Sequence, residues 1–308
     1  MPHYDVVENT PFSKPGRTTA EKKFLAQGIE KCKAITKKYG TSYFFATQFF
    51  PKHIRESIFA LYAFARIPDE IVDDPNNRDR EKAIAQLEAW RANWRQAIKS
   101  GGSDDPVLNA IAHTFAKHNI PEENGEAFLA SMFQDEEKST YRDYAELEKY
   151  MYGSAGVIGL MITRVVGFST EKAFPFALKL GYAFQLTNFL RDIREDYEDL
   201  GRTYMPQDEL SRFGLTQRDI AGHACDEKFI EFMKFQIERN REIYRDAFTG
   251  IKMLNWHGRL AVRISYVLYK EILREIEKAG YDVYSVRART SFSRKIVLSL
   301  KAIAGIYE

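Results

Sequence analysis

Two acidic segments, Asp69-Glu-Ile-Val-Asp-Asp74 and Asp192-Ile-Arg-Glu-Asp196, each set two aspartates four residues apart inside an otherwise apolar, helix-forming stretch. Positions i and i+4 lie one turn apart, so each pair aims two carboxylates at one side of a helix. Like charges so placed repel, and a bound cation explains their retention better than stability does. Hard oxygen ligands suit Mg²⁺, with Mn²⁺ as the alternative. Mg²⁺ takes one or two carboxylates per site and leaves the other positions to water and substrate phosphates.

The residues leading into each segment extend the pattern. Tyr62, Arg66, Asp69 and Asp73 fall at i, i+4, i+7 and i+11, and Gln185, Asn188, Asp192 and Asp196 at i, i+3, i+7 and i+11. Each set draws one polar stripe along a helix whose remaining faces carry Ile58, Phe59, Leu61 and Phe64, or Phe184, Leu186, Phe189 and Leu190. A polar seam on a buried helix must find partners, and metal ions held between the two seams would satisfy both. Arg66 and Arg191 place guanidinium groups where a metal-bound diphosphate needs neutralisation; ion pairs with neighbouring acids are the other reading of both.

Helices must position these stripes. Thr18 followed by Glu21 reads as a capping box opening a helix with Phe24, Leu25, Ile29, Cys32 and Ile35 on its apolar face. Long helices are predicted over 135–162, 174–200, 226–248 and 260–278, and no run shows sustained β alternation. The fold class is all-α. Residues 1–17, with Pro11, Pro15 and Gly16, read as an irregular N-terminal arm, and 18–308 as one domain.

Composition narrows the function. With 308 residues, 44% hydrophobic, the chain can bury a large core, and a net charge of +2 without a basic stripe argues against nucleic acid. Cys32 and Cys225 read as reduced thiols of a cytoplasmic protein. The apolar run from Ala155 to Ile162 stops at Arg164, short of the ~20 residues of a membrane span. Basic residues among apolar ones near the C-terminus (Lys270, Arg274, Arg287, Arg289, Arg294, Lys295, Lys301) suit either peripheral contact with an anionic membrane or a solvated face. The six histidines lack Glu-x-x-His and His-Glu-x-x-His spacing, and no Gly-x-Ser-x-Gly elbow occurs, which sets aside di-iron, zincin and serine-hydrolase chemistry. Gly153, Gly156 and Gly159 follow no strand, so they read as close packing or room for a ligand rather than a phosphate loop.

Three segments, 61–74, 150–161 and 185–196, resemble in order the signature segments of the squalene and phytoene synthases, and Gly201-Arg-Thr-Tyr-Met-Pro-Gln-Asp-Glu-Leu210 is most similar to the phytoene synthase branch. The resemblance implies an isoprenoid synthase helical fold with a central cavity. It also implies Mg²⁺-dependent head-to-head joining of two prenyl diphosphates: geranylgeranyl diphosphate to phytoene through a cyclopropylcarbinyl diphosphate, without NADPH. A C30 synthase acting on farnesyl diphosphate is the alternative within the family, and a non-catalytic lipid-binding or assembly factor, expected had the aspartates been lost, the alternative outside it. By motif, Asp69, Asp73, Asn188, Asp192 and Asp196 would hold metal, Ser42, Tyr62, Arg66, Gln185 and Arg191 would reach the diphosphates, and Asp135 and Tyr152 would lie near the reacting carbons. Tyr269 and Arg287 would close over the pyrophosphate end. Two residues depart from the pattern: Glu70 stands where many relatives have Asp, and Pro68 removes a helical hydrogen bond, which is expected to kink the helix and turn Asp69 inward.

Overall fold

Capping and periodicity place the first helices where the sequence predicts them. The computed structural model of the protein describes residues 18–73 and 79–306, without the side chain of Ser42, so the expected N-terminal arm over 1–17 and Asp74 lie outside the described residues. Helix α1 (Thr19–Tyr39) opens on the capping box, with Glu21 N–H donating to Thr18 Oγ1 at 3.2 Å and Thr18 N–H to the Glu21 carboxylate at 2.7 Å. After α2 (Thr41–Thr47), α3 (Lys52–Val72) continues through Pro68 and ends at Asp73, whose N–H still bonds Asp69 O. Helices α4 (Arg80–Ser100), α5 (Pro106–Lys117) and α6 (Glu122–Glu137) follow.

The helix predicted over 135–162 is instead broken twice. Helix α6 stops at Glu137, and 139–142 serve as a pairing edge: the N–H groups of Thr203, Gln207 and Asp208 donate to the carbonyls of Ser139, Tyr141 and Arg142. A backbone committed to those partners cannot also close i→i−4 bonds. Asp143 then caps α7 (Tyr144–Met151), a π-helical turn spans Tyr152–Gly156, and α8 runs Val157–Val166. The helix predicted over 174–200 divides at Asp192 into α9 (Ala173–Arg191) and α10 (Ile193–Leu200), with Asp192 at φ −105°, ψ 17°. Short helices α11 (Gln207–Arg212) and α12 (Gln217–Ala221) lead to α13 (Glu227–Ile251), α14 (Trp256–Lys278) and α15 (Phe292–Ile303). Among the described residues there is no strand, only isolated bridges, and no helix is long and apolar enough to cross a membrane.

A continuous buried cluster joins Cys32 on α1 to Ala302 on α15. Helix α9 lies within it, packed on α8, α13 and α14. Its approach to α8 is antiparallel and unusually close: a methyl added at Gly159 would lie 2.4 Å from Ala177 O, and one at Gly181 2.5 Å from Ala155 O. Such backbone-to-backbone contact leaves no side chain free to move aside. Gly181→Val is therefore expected to cost about 1–3 kcal/mol by overpacking, read as a lower urea midpoint; an unchanged midpoint would mean that the two helices separate at no cost.

Candidate active site

The aspartate stripes meet in a cavity of about 950 Å³. Its character changes along α9. Ala173, Phe176, Ala177, Leu180, Gly181 and Phe184 line it first, then Gln185, Asn188, Arg191 and Asp192, a stripe at helical spacing that turns from apolar to polar toward the C-terminal end. Helix α3 repeats the gradient, from Ile58, Leu61 and Ala65 to Arg66, Asp69 and Asp73. Val166, Gly250, Ile251 and Leu254 add apolar wall, and Asp135, Asp196, Tyr269 and Arg287 join the polar end.

Arginines lie among these acids. Arg66 pairs with both Asp69 and Glu70. Arg191 grips Asp192 in a fork, Nε to Oδ1 at 2.7 Å and Nη2 to Oδ2 at 2.5 Å, and Arg287 Nε donates to the same Oδ1 at 2.8 Å. Arg66 and Arg191 each make the ion pair that one reading expects, and both also line the cavity. Arg202, only 6% exposed, reaches Asp73 Oδ1 at 3.0 Å, Val72 O at 3.1 Å and Glu136 at 3.7 Å.

Compensation is uneven. Burial, and next the charge of Asp73, push the Asp69 carboxyl up to about 7. Burial, with Asp192 and then Asp73 behind it, raises Asp196 well above the usual carboxylate range, so the first and second motifs act on each other electrostatically. Asp192 alone moves down: burial opposes its charge, but the bonds and charges of Arg191 and Arg287 outweigh it. Among the described residues no three acidic, His or Cys side chains converge on one ion position. An ion held here would take carboxylates singly or in pairs and the rest of its shell from water or phosphate. The donors are all oxygens, and an acid surplus sufficient to hold protons is one that divalent cations would relieve. Glu195 Oε2, buried and without a hydrogen-bond partner, adds an idle acceptor at this end.

Asp135 sits deeper, 7% exposed, where Tyr150 donates to Oδ2 at 2.7 Å and Tyr204 to Oδ1 at 3.0 Å. Phe189 stacks on Tyr204 at 4.1 Å, closing the network from the α9 side. Tyr62 stacks on Tyr43 and Tyr269 on Phe184, and all four line the cavity. Ser42 falls outside the described side chains, although its neighbours Thr41 and Tyr43 line the cavity. Tyr152 is not brought to the site: it is 43% exposed and absent from the cavity wall. Residues two apart differ by about 200° around a helix, so Tyr150 faces inward where Tyr152 faces out. Sequence reasoning assigned no role to Arg202 or Tyr204. The signal was the segment Gly201-Arg-Thr-Tyr, whose adjacent polar and aromatic side chains follow no helical period.

Comparison with known proteins agrees with this arrangement. The squalene/phytoene synthase family model matches residues 36–298. The chain is similar to a 15-cis-phytoene synthase of Synechococcus elongatus, 32% identical over 92% of this chain and 94% of that one. It is also similar to a chloroplastic phytoene synthase 3 of Zea mays, 35% identical over 90% of this chain and 66% of the relative. Among solved structures, a ligand-bound dehydrosqualene synthase superposes with a TM-score of 0.85 at 24% identity, covering 92% of this chain and 98% of its own, which shows the shared fold.

The buried carboxyl network has a pH signature. Burial, the largest cause, pushes Asp135 up to about 7 against opposing Arg202 and tyrosine contacts, whereas an unfolded aspartate titrates near ~3.9. Between those values the folded protein keeps a proton that the unfolded chain has released, so this group lowers stability as pH rises from about 4 to about 7. Asp135→Asn removes that titration. In urea melts with EDTA, the variant should lose less stability than the parent between pH 5 and pH 8; equal losses would place the titration elsewhere.

Proposed function

Because the chain belongs to the squalene/phytoene synthase family, as a prenyltransferase of the phytoene synthase type, we propose that it joins two geranylgeranyl diphosphates head to head, with Mg²⁺, to give phytoene. The observation that carries this reading is the cavity's gradient from opposed aspartates to a long apolar wall. From Asn188 to Ala173, α9 falls about 22 Å at ~1.5 Å per residue, and an extended C20 chain built from ~1.5 Å bonds is about 20 Å long. Measured from the polar end, where a diphosphate would sit, to the far apolar end, the α9 wall has about the length of a C20 chain.

Asp69, Asp73, Asn188, Asp192 and Asp196 would hold the Mg²⁺ ions, which when bound supply Lewis-acid neutralisation of the diphosphates. Arg66, Arg191 and Arg287 already lie at that end and present planar donors to phosphate oxygens. Release of diphosphate leaves an allylic cation, which the rings of Tyr43, Tyr62, Phe184 and Phe189 can face while the aliphatic wall excludes water. Bond formation between the two chains gives a cyclopropylcarbinyl diphosphate with loss of one proton; its own ionisation, rearrangement and loss of a second proton give the triene. Two substrates thus yield one C40 hydrocarbon, two diphosphates and two protons. No electrons are gained, so NADPH is not expected. Substrate and product are lipids, which fits a cytoplasmic enzyme in peripheral contact with a membrane.

The test is an assay of purified protein with geranylgeranyl and, separately, farnesyl diphosphate, with and without Mg²⁺ and NADPH. Phytoene from the C20 substrate, lost in EDTA and restored by Mg²⁺, is expected, and Asp69→Asn or Asp192→Asn should cut turnover by about 10²–10³-fold. A C30 product from farnesyl diphosphate alone would overturn the chain length and keep the reaction. Ala177 lines the apolar wall near the start of α9. Ala177→Phe should fill that end and lower the C20-to-C15 turnover ratio by about tenfold; an unchanged ratio would show that the chains do not reach it.

A further inference from the structure

Between Val286 and Ile306 the chain carries Arg287, Arg289, Arg294, Lys295 and Lys301 and no acid, in a protein whose 45 basic and 43 acidic residues otherwise nearly balance. Helix α15 occupies most of this segment. It buries Leu298, Ser299 and Ala302, yet it carries a second apolar face: Phe292, Ile296, Val297, Leu300 and Ile303 are exposed, Phe292 and Leu300 at 68% and 60%. With Val286 and Ile306, the segment holds seven of the ten large hydrophobic side chains exposed among the described residues. An exposed apolar face contiguous along one helix marks a contact surface.

The charges say what kind. Arg287 is tied to Asp192 and Arg294 to Glu271, which leaves Arg289, Lys295 and Lys301 without an acidic partner among the described residues. Two copies meeting through this face would set bases against bases with no acid between them. An anionic bilayer surface satisfies both properties at once, taking the apolar side chains into the acyl boundary and the bases among the headgroups. The segment also adjoins the cavity, since Ala288, Arg289, Thr290 and Lys295 contribute to its lining. We propose that α15 and its flanks dock the protein on an anionic membrane, with Phe292, Val297, Leu300 and Ile303 inserted, so that lipid substrate and product exchange next to the cavity. The reason given for docking, though not the surface itself, rests on the function proposed above.

The experiment is flotation of the full chain with vesicles of phosphatidylcholine alone or with added phosphatidylglycerol, at low and high salt, for the parent and for Val297→Glu/Leu300→Glu. Neither substituted residue lines the cavity, so turnover of detergent-dispersed substrate should be unchanged. The parent should float with anionic vesicles, less with phosphatidylcholine, and less in high salt. The double variant should bind about tenfold or more weakly. In hydrogen exchange on the unaltered chain, anionic vesicles should protect 292–306, a readout independent of the variant's folding. Equal flotation of parent and variant, no protection of this segment, or a solution dimer that the double substitution dissolves would overturn the proposal. Detergent turnover reports the catalytic reading separately, so loss of one leaves the other standing or falling by itself.

Discussion

Asp69, Asp73, Asp135, Asp192 and Asp196 crowd one end of a cavity whose other walls are apolar. Taking that much like charge out of water costs free energy that only neighbours can offset. Four arginines do so in part, each from a different place: Arg66 from within its own helix, Arg191 and Arg287 jointly on Asp192, and Arg202 from the loop after α10. Each pairing fixes a segment as well as a charge. Arg202 bonds the Val72 carbonyl and the Asp73 carboxylate together, and so ties the C-terminal end of α3 to a chain segment more than a hundred residues away. The acids that remain raised are those with the weakest such support.

The stripe on α9 works only if that helix cannot rotate, and the side away from the cavity shows how rotation is blocked. Thr187 and Asn240 both donate to Ala183 O, Asn240 also reaches Thr187, and Tyr244 completes the cluster 2.9 Å from the Thr187 hydroxyl. All three polar residues are buried, so the network has no water to fall back on and specifies one register between α9 and α13. On the neighbouring side, Gly159 and Gly181 bring α8 against α9 backbone to backbone. Small residues thus set the wall that α9 shares with α8 while a polar clamp sets its angle. The cavity is what remains between two fixed surfaces.

The helical periodicity and the two polar stripes were legible in the sequence because both are local: a period of 3.6 and a spacing of four need nothing beyond one helix. The breaks were not. Residues 139–142 leave the helix because Thr203, Gln207 and Asp208 require their carbonyls, a demand that arises more than sixty residues downstream. The resemblance put Tyr152 near the reacting carbons, whereas the π turn and the position of Asp135 bring Tyr150 inward instead. Arg202 and Tyr204 lie in an irregular segment where no period exists to reveal a face, and their partners Asp73 and Asp135 belong to different helices.

The two acidic motifs look alike in spacing, but the fold makes them chemically unlike. Asp69 and Asp73 sit on the last turn and cap of a continuous helix, with carboxyls raised by burial and, for Asp69, by its neighbour. Asp192 lies where the chain leaves one helix for the next, and two arginines hold it ionised. The reaction proposed for this cavity consumes two identical diphosphates but must treat them differently, since one loses its leaving group at the first step and the other keeps it. A symmetric pair of acidic seams would offer no means of telling them apart. The division of arginines, one of which serves the first motif from within its helix while two converge on Asp192, puts that difference into the protein before either substrate arrives.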